Sequence, residues 1–134
     1  MVMINARRAL GRIILFDAAS CAAMGLLLML SAGTVAGLTA IPAMMLFQAD
    51  VYLLLVALYA LLVALKGTGS PAAVWLLILG NIAWVFASFV LFAFVSPNLI
   101  GTVFILAQAL VVAMLARLEH AAWRGNSLLR HSAS

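Results

Sequence analysis

Charged residues are scarce in this chain of 134 residues. Only 7% of the residues are charged, whereas 69% belong to the hydrophobic set. An average soluble domain is about one quarter charged. Seven cations and three acids cannot solvate the surface of a domain of this size. The sequence therefore excludes a water-soluble globular protein, and it predicts that most of the surface faces lipid.

Cysteine and the usual catalytic motifs are also scarce. The single cysteine, Cys21, excludes an internal disulfide and a zinc cluster built from cysteines. The chain lacks a glycine-rich phosphate loop, the His-Glu-x-x-His motif of zinc-binding helices and a Ser, His and Asp set at membrane depth. His120 and His131 have no second ligand at helical spacing. We therefore expect no metal site and no cofactor, and we expect that the protein is not an enzyme.

The basic residues give a net charge of +4. They lie at the two ends of the chain and in one short loop, whereas a nucleic-acid-binding protein would gather them on one packed face. We therefore expect no nucleic-acid partner. The expected partner is the lipid bilayer, and the basic residues are interpreted as topology signals.

Three long stretches contain no charge at all, namely residues 18–49, 51–65 and 67–116. A membrane-spanning helix needs about 20 apolar residues, so turn signals must divide these stretches. Glycines and a proline interrupt the first, and prolines mark two further turns. The resulting prediction is an all-α, integral membrane four-helix transmembrane bundle that forms a single membrane domain over 1–134. Its spans are expected at about 10–30, 43–65, 72–95 and 98–119.

The connections carry recognisable helix signals. Ser70 is expected to cap the third helix with Pro71 as its first residue, and Pro97 is placed to open the fourth. The apolar segment 31–42 is longer than a tight turn, so we expect it at the membrane interface with a short helix near its end. The fourth helix is expected to stop at Gly125, within a short cytoplasmic tail of residues 120–134.

The distribution of cations supports this topology. All seven lie on the side that holds both termini and the 66–71 loop, and none lies on the other side. The positive-inside rule then places both termini in the cytoplasm. A secretory signal is the alternative interpretation, because Arg7, Arg8 and Arg12 precede an apolar stretch that ends in small residues. The length of that stretch and the presence of Asp17 within it argue against a cleaved signal.

A few polar side chains fall at membrane depth, where they are costly and commonly functional. Asp17, Tyr59 and Asn81 are expected in one layer of the cytoplasmic half, with Gln108 near the middle of the fourth span. These four residues form the candidate proton-binding or buried polar cluster. Asp50 is interpreted as an acid in the first turns of its helix, close to water.

Two interpretations of Asp17 remain open. In the structural one, it pairs with Arg8 or Arg12, or it accepts hydrogen bonds from Asn81 and Tyr59. In the functional one, it is a protonatable carboxylate that couples proton movement to another process.

The third and fourth spans contain four segments that carry a family resemblance, namely 79–84, Gly101, 107–110 and 117–119. These segments resemble small four-helix integral membrane proteins of bacteria that have no assigned activity, which implies a multi-pass location in the bacterial cell inner membrane. Asp17 is also similar to the essential acid in the first span of the small multidrug resistance transporters, although that family uses glutamate. The longer first connection here departs from that family.

Two hypotheses about function follow. The first is an interaction, assembly or accessory-subunit role, as a homo-oligomer or within a larger membrane complex, because small and polar helix faces occur without catalytic motifs. The alternative is a proton-coupled small-molecule carrier that acts as an oligomer through Asp17.

Overall fold

The computed structural model describes the backbone of residues 2–67 and 70–133. Every element within these residues is helical. The elements are α1 (Val2–Thr39), α2 (Ala43–Leu62) with a π-helical turn (Val63–Gly67), α3 (Pro71–Phe94) and α4 (Leu99–Ala133). Each of α1 to α4 contains a stretch long and apolar enough to cross a membrane. The predicted all-α architecture with four candidate spans is confirmed, and it fits a small multi-pass membrane protein.

The four helices are packed unevenly. α1 packs along α2 and α4, and α4 packs along α3, whereas α2 and α3 touch each other sparsely. The stacked rings of Tyr52 and Trp84, with centroids 5.2 Å apart, bridge this looser edge. We call the end that holds Lys66 the basic end, and the end that holds residues 40–42 and 95–98 the far end. Short connections make consecutive helices antiparallel, so the start of α1 and the end of α4 lie together at the basic end.

The far end is held by a compact set of hydrogen bonds. The backbone of Ala40, at φ 57°, turns the chain out of α1 in the left-handed conformation. Asn98 donates its backbone N–H to the Thr39 carbonyl at 3.1 Å and its side-chain amide to the Leu38 carbonyl at 2.7 Å. The Asn98 side-chain oxygen accepts the Gly101 N–H at 2.8 Å and so caps α4. A Cβ at Gly101 would overlap the Thr39 carbonyl oxygen, so this contact requires glycine.

The first predicted span was too short. Helix α1 continues through the segment expected at the interface and ends at Thr39, so only residues 40–42 are non-helical. The helix bends at Ser31, whose φ of −139° and ψ of 28° are not helical. The Ser31 hydroxyl donates to the Leu27 carbonyl, a bond that commonly bends helices.

Predictions at the other helix ends had mixed outcomes. The Ser70 side chain accepts the Ala73 N–H at 3.3 Å with Pro71 opening the helix, which confirms that cap. Helix α4 begins at Leu99, after an Asn98 cap, and so two residues beyond Pro97. The predicted stop at Gly125 is wrong, because α4 continues to Ala133. One glycine costs a helix only about 1 kcal/mol, and good helix formers lie within one turn or so on each side, with two alanines and an arginine before it and two leucines and an arginine after it.

Candidate functional site

Three polar side chains from three helices meet inside the bundle and form what we call the acidic cluster: Asp17, Asn81 and Glu119. The Asn81 amide nitrogen donates to Asp17 Oδ2 at 2.8 Å and to Glu119 Oε2 at 3.0 Å. Asp17 and Glu119 have no exposed surface, and Asn81 is 3% exposed. One amide group therefore joins α1, α3 and α4 through two buried carboxyl groups.

Helix geometry explains how these side chains converge. The Cα–Cβ bond leans toward the start of its own helix. Because α3 and α4 are antiparallel, Asn81 leans toward the basic end and Glu119 leans toward the far end. The Glu119 carboxyl therefore reaches deeper into the bundle than its position near the end of a candidate span indicates.

The acidic cluster has more hydrogen-bond acceptors than donors. An ionised carboxylate only accepts, so two of them present four oxygens to the two N–H groups of Asn81. The Cys21 thiol lies 3.6 Å from Asp17 Oδ1 and is a weak donor. Glu119 Oε1 is buried without a partner. A proton on either carboxyl would supply the missing donor and remove one of two adjacent negative charges.

The arginines near the start of α1 do not neutralise this cluster. Arg8 and Arg12 are exposed, whereas Asp17 is fully buried and bonded to Asn81. The predicted pairing of Asp17 with either arginine is therefore wrong among the described side chains. The predicted bond from Asn81 to Asp17 is present.

Gln108 belongs to a second polar group, which we call the amide cluster: Trp84, Ser88 and Gln108. Gln108 Oε1 accepts the Trp84 indole N–H. Its amide nitrogen donates to Ser88 Oγ at 2.9 Å and to the Ile105 carbonyl at 3.0 Å. The Ser88 hydroxyl donates to the Trp84 carbonyl at 2.8 Å. Every polar group of the Gln108 side chain is thus bonded, and the cluster joins α3 to α4.

Tyr59 lies apart from both clusters. Its hydroxyl donates to the Ala73 carbonyl at 2.8 Å, which ties α2 to the start of α3 at the basic end. The predicted layer of Asp17, Tyr59 and Asn81 is therefore only partly correct. The structure brings Asp17 and Asn81 together and places Tyr59 elsewhere.

Sequence reasoning misses Glu119, because the fourth span is expected to end at this residue. A usable signal was present. Gln108, Val112, Leu115 and Glu119 follow the three- and four-residue spacing of one helix face. An acid on the same face as a membrane-embedded amide is expected to point inward.

Asp50 is buried rather than close to water. It is 2% exposed, and its Oδ1 has no hydrogen-bond partner. This oxygen lies 3.4 Å from the position that a Cβ of Gly25 would take. Asp50 therefore packs at the α1–α2 contact, away from the acidic cluster.

Two cavities lie between the helices, and each is partly open at the surface of the bundle. One, of about 330 Å³, is bounded mainly by α1 and α4, and Asp17 is the acidic residue that lines it. We call it the Asp17 cavity. The other, of about 270 Å³, lies toward the far end and contains groups of the amide cluster. Four side chains line both cavities and so separate them: Met24, Leu53, Phe104 and Gln108.

Within the described residues, no three His, Cys, Asp or Glu side chains are grouped so that they could hold a metal ion. Comparison of the chain with protein-family models, with curated proteins and with solved structures gives no match. The two resemblances in the sequence therefore gain no support from relatives. The four apolar helices agree with a small membrane protein and do not indicate its role.

Proposed function

We propose that this protein is a small proton-linked carrier of the bacterial inner membrane, with both termini in the cytoplasm. The proposal rests on one observation, namely that Asp17 makes two different contacts. On one side Asp17 bonds to Asn81 in the acidic cluster, and on the other it lines an apolar cavity. Because Asp17 has no exposed surface in this structure, the exchange requires the side chains between it and the cavity to move.

The Asp17 cavity has suitable dimensions and chemistry for a small solute. Its volume of about 330 Å³ falls in the range of small-molecule pockets, which starts near ~300 Å³. Its walls are mostly aliphatic and aromatic, so Asp17 is the group able to hold a positive charge there. A small cation with an apolar body matches this combination.

Asn81 and Glu119 hold the Asp17 carboxyl in place for the exchange. Asn81 fixes the Asp17 carboxyl through one N–H and the Glu119 carboxyl through the other. In this scheme, a proton on Asp17 leaves that carboxyl neutral and the cavity without charge. When the proton departs, Asp17 carries the charge that attracts the cation.

Orientation and assembly form part of the proposal. The seven cations at the basic end support a cytoplasmic location for that end.

The exposed small residues Ala83 and Ala87 line a shallow groove on the outer side of α3. Small residues allow membrane helices to approach closely, so this face favours a homo-oligomer. The same face favours the second candidate function, an accessory subunit docked in a larger membrane complex.

Proteoliposomes that contain a pH-sensitive dye test the carrier proposal. Phenyltrimethylammonium is a suitable probe because it is permanently charged and cannot carry a proton itself. We expect its addition to drive proton release through the wild-type protein and through Asp50→Asn, the matched change of a buried acid outside the cluster. We expect no release with Asp17→Asn. Equal release from Asp17→Asn would contradict the role of Asp17, and wild-type release no greater than in protein-free vesicles would favour the accessory role.

A further inference from the structure

A groove at the basic end lies away from both clusters. It runs between the start of α1 and the π-helical turn that follows α2, and its volume is about 270 Å³. Its lining residues are Arg8, Gly11, Arg12, Leu15, Ala64 and Leu65. We call it the arginine groove.

Backbone geometry keeps this groove open. The turn over Val63–Gly67 has the wider π-helical form, which occurs frequently at functional sites. Opposite it, Gly11 has no side chain, and a Cβ there would lie 3.8 Å from the Ala64 carbonyl oxygen. A larger side chain at Gly11 would therefore occupy the floor of the groove.

The chemistry of the groove changes along its length. Arg8 and Arg12 are one helical turn apart, share a face and are both exposed. None of the described residues that line the groove is acidic. Leu15 lies about 10 Å further along α1 than Arg8, toward the membrane. Leu15 and Leu65 are 45% and 66% exposed, so they present apolar surface beside the two guanidinium groups.

We propose that the arginine groove binds one anionic phospholipid. The lipid phosphate bonds to Arg8 and Arg12, because the planar guanidinium group matches phosphate oxygens in pairs. The acyl chains lie along Leu15 and Leu65. A soluble anion would use the arginines alone, whereas the adjoining apolar surface fits an amphiphile. This proposal does not depend on the carrier function.

Native mass spectrometry of the full chain in mild detergent tests the site. Phosphatidylglycerol and phosphatidylcholine with the same acyl chains are titrated against the protein. We expect at least fivefold tighter binding of the first bound phosphatidylglycerol, and we expect the double variant Arg8→Gln/Arg12→Gln to lose this preference. The matched control Arg117→Gln/Arg124→Gln removes two exposed cations outside the groove and should keep the preference.

The variant Gly11→Leu tests whether the lipid binds in the arginine groove or is only attracted by the overall positive charge of the basic end. It fills the groove without changing any charge, so we expect it to weaken phosphatidylglycerol binding, with helical content checked by circular dichroism. Equal losses in the two arginine double variants would overturn the proposal, as would unchanged binding by folded Gly11→Leu. Glycerol 3-phosphate, which lacks acyl chains, should compete poorly. If it competes as well as the lipid, the groove is a phosphate site and the lipid proposal is wrong.

Discussion

The acidic cluster and the amide cluster perform the same mechanical task with different chemistry. Each joins α3 to α4 inside the bundle through a side-chain amide, Asn81 in one and Gln108 in the other. In the amide cluster, every donor and acceptor of Gln108 has a partner. In the acidic cluster, one carboxyl oxygen of Glu119 has none.

This difference separates a structural contact from a chemical site. The amide cluster is complete and neutral as it stands, so adding a proton or an ion would break bonds rather than make them. The acidic cluster becomes complete only when a proton or a cation supplies the missing donor. We therefore expect the acidic cluster to respond to pH and the amide cluster to be indifferent to it.

Replacing Asn81 should have the largest effect on stability. Asn81→Leu keeps a similar volume but leaves both buried carboxyl groups without their N–H donors. Breaking a buried charged network in this way costs about 3–5 kcal/mol. The loss should be greater at high pH, because at low pH a protonated carboxyl supplies a donor of its own. Unfolding in mixed micelles at several pH values measures this.

A matched variant checks the cause of that pH dependence. Asp17→Asn retains the shape of the side chain, removes one of the two acids and brings new N–H groups. We expect it to be much less destabilising than Asn81→Leu, with little change in stability over the same pH range. A loss in Asn81→Leu that is the same at every pH would contradict the assignment of the cluster as a proton site.

Replacing Gln108 should have a smaller effect. Gln108→Leu leaves the Trp84 indole N–H without its acceptor and the Ser88 oxygen without the N–H that it accepts, whereas the Ser88 hydroxyl keeps its bond to the Trp84 carbonyl. An unsatisfied buried group costs about 1–3 kcal/mol. None of the cluster members titrates, so the loss should be independent of pH. Thermal unfolding followed by circular dichroism at several pH values measures it. A marked pH dependence would remove the distinction between the two clusters.

The sequence was sufficient to predict four long apolar helices because the bilayer imposes simple demands. Roughly 20 apolar residues per crossing and a turn signal between crossings account for four helices. The first and last helices were predicted too short, since Ser31 bends α1 without ending it and Gly125 does not stop α4. Propensity at one residue does not outweigh helix-forming neighbours on both sides.

The position of a polar residue along its helix was easier to predict than the direction in which its side chain points. Counting residues from the helix ends placed Asp17 and Asn81 at a shared level, and they bond to each other. The same counting placed Glu119 at the edge of the membrane, because it ignores the lean of side chains toward the start of their helix. It also placed Tyr59 in the layer, although the rotation of α2 turns its hydroxyl toward α3. The rotation of a helix about its own axis depends on its packing against the other helices, and a single sequence does not specify that packing.

Tyr59 provides the smallest and most selective prediction. Tyr59→Phe removes only the hydroxyl that bonds to the Ala73 carbonyl, so the expected loss is about 1 kcal/mol, typical of one hydrogen bond. Because this bond lies outside the acidic cluster, proton release in the proteoliposome assay should match the wild type. Unfolding at two pH values should show the same loss at each. If Tyr59→Phe instead abolished proton release, the tyrosine would belong to the functional site, as the predicted depth of Tyr59 in the second span indicates. The acidic cluster of Asp17, Asn81 and Glu119 would then be an incomplete description of that site.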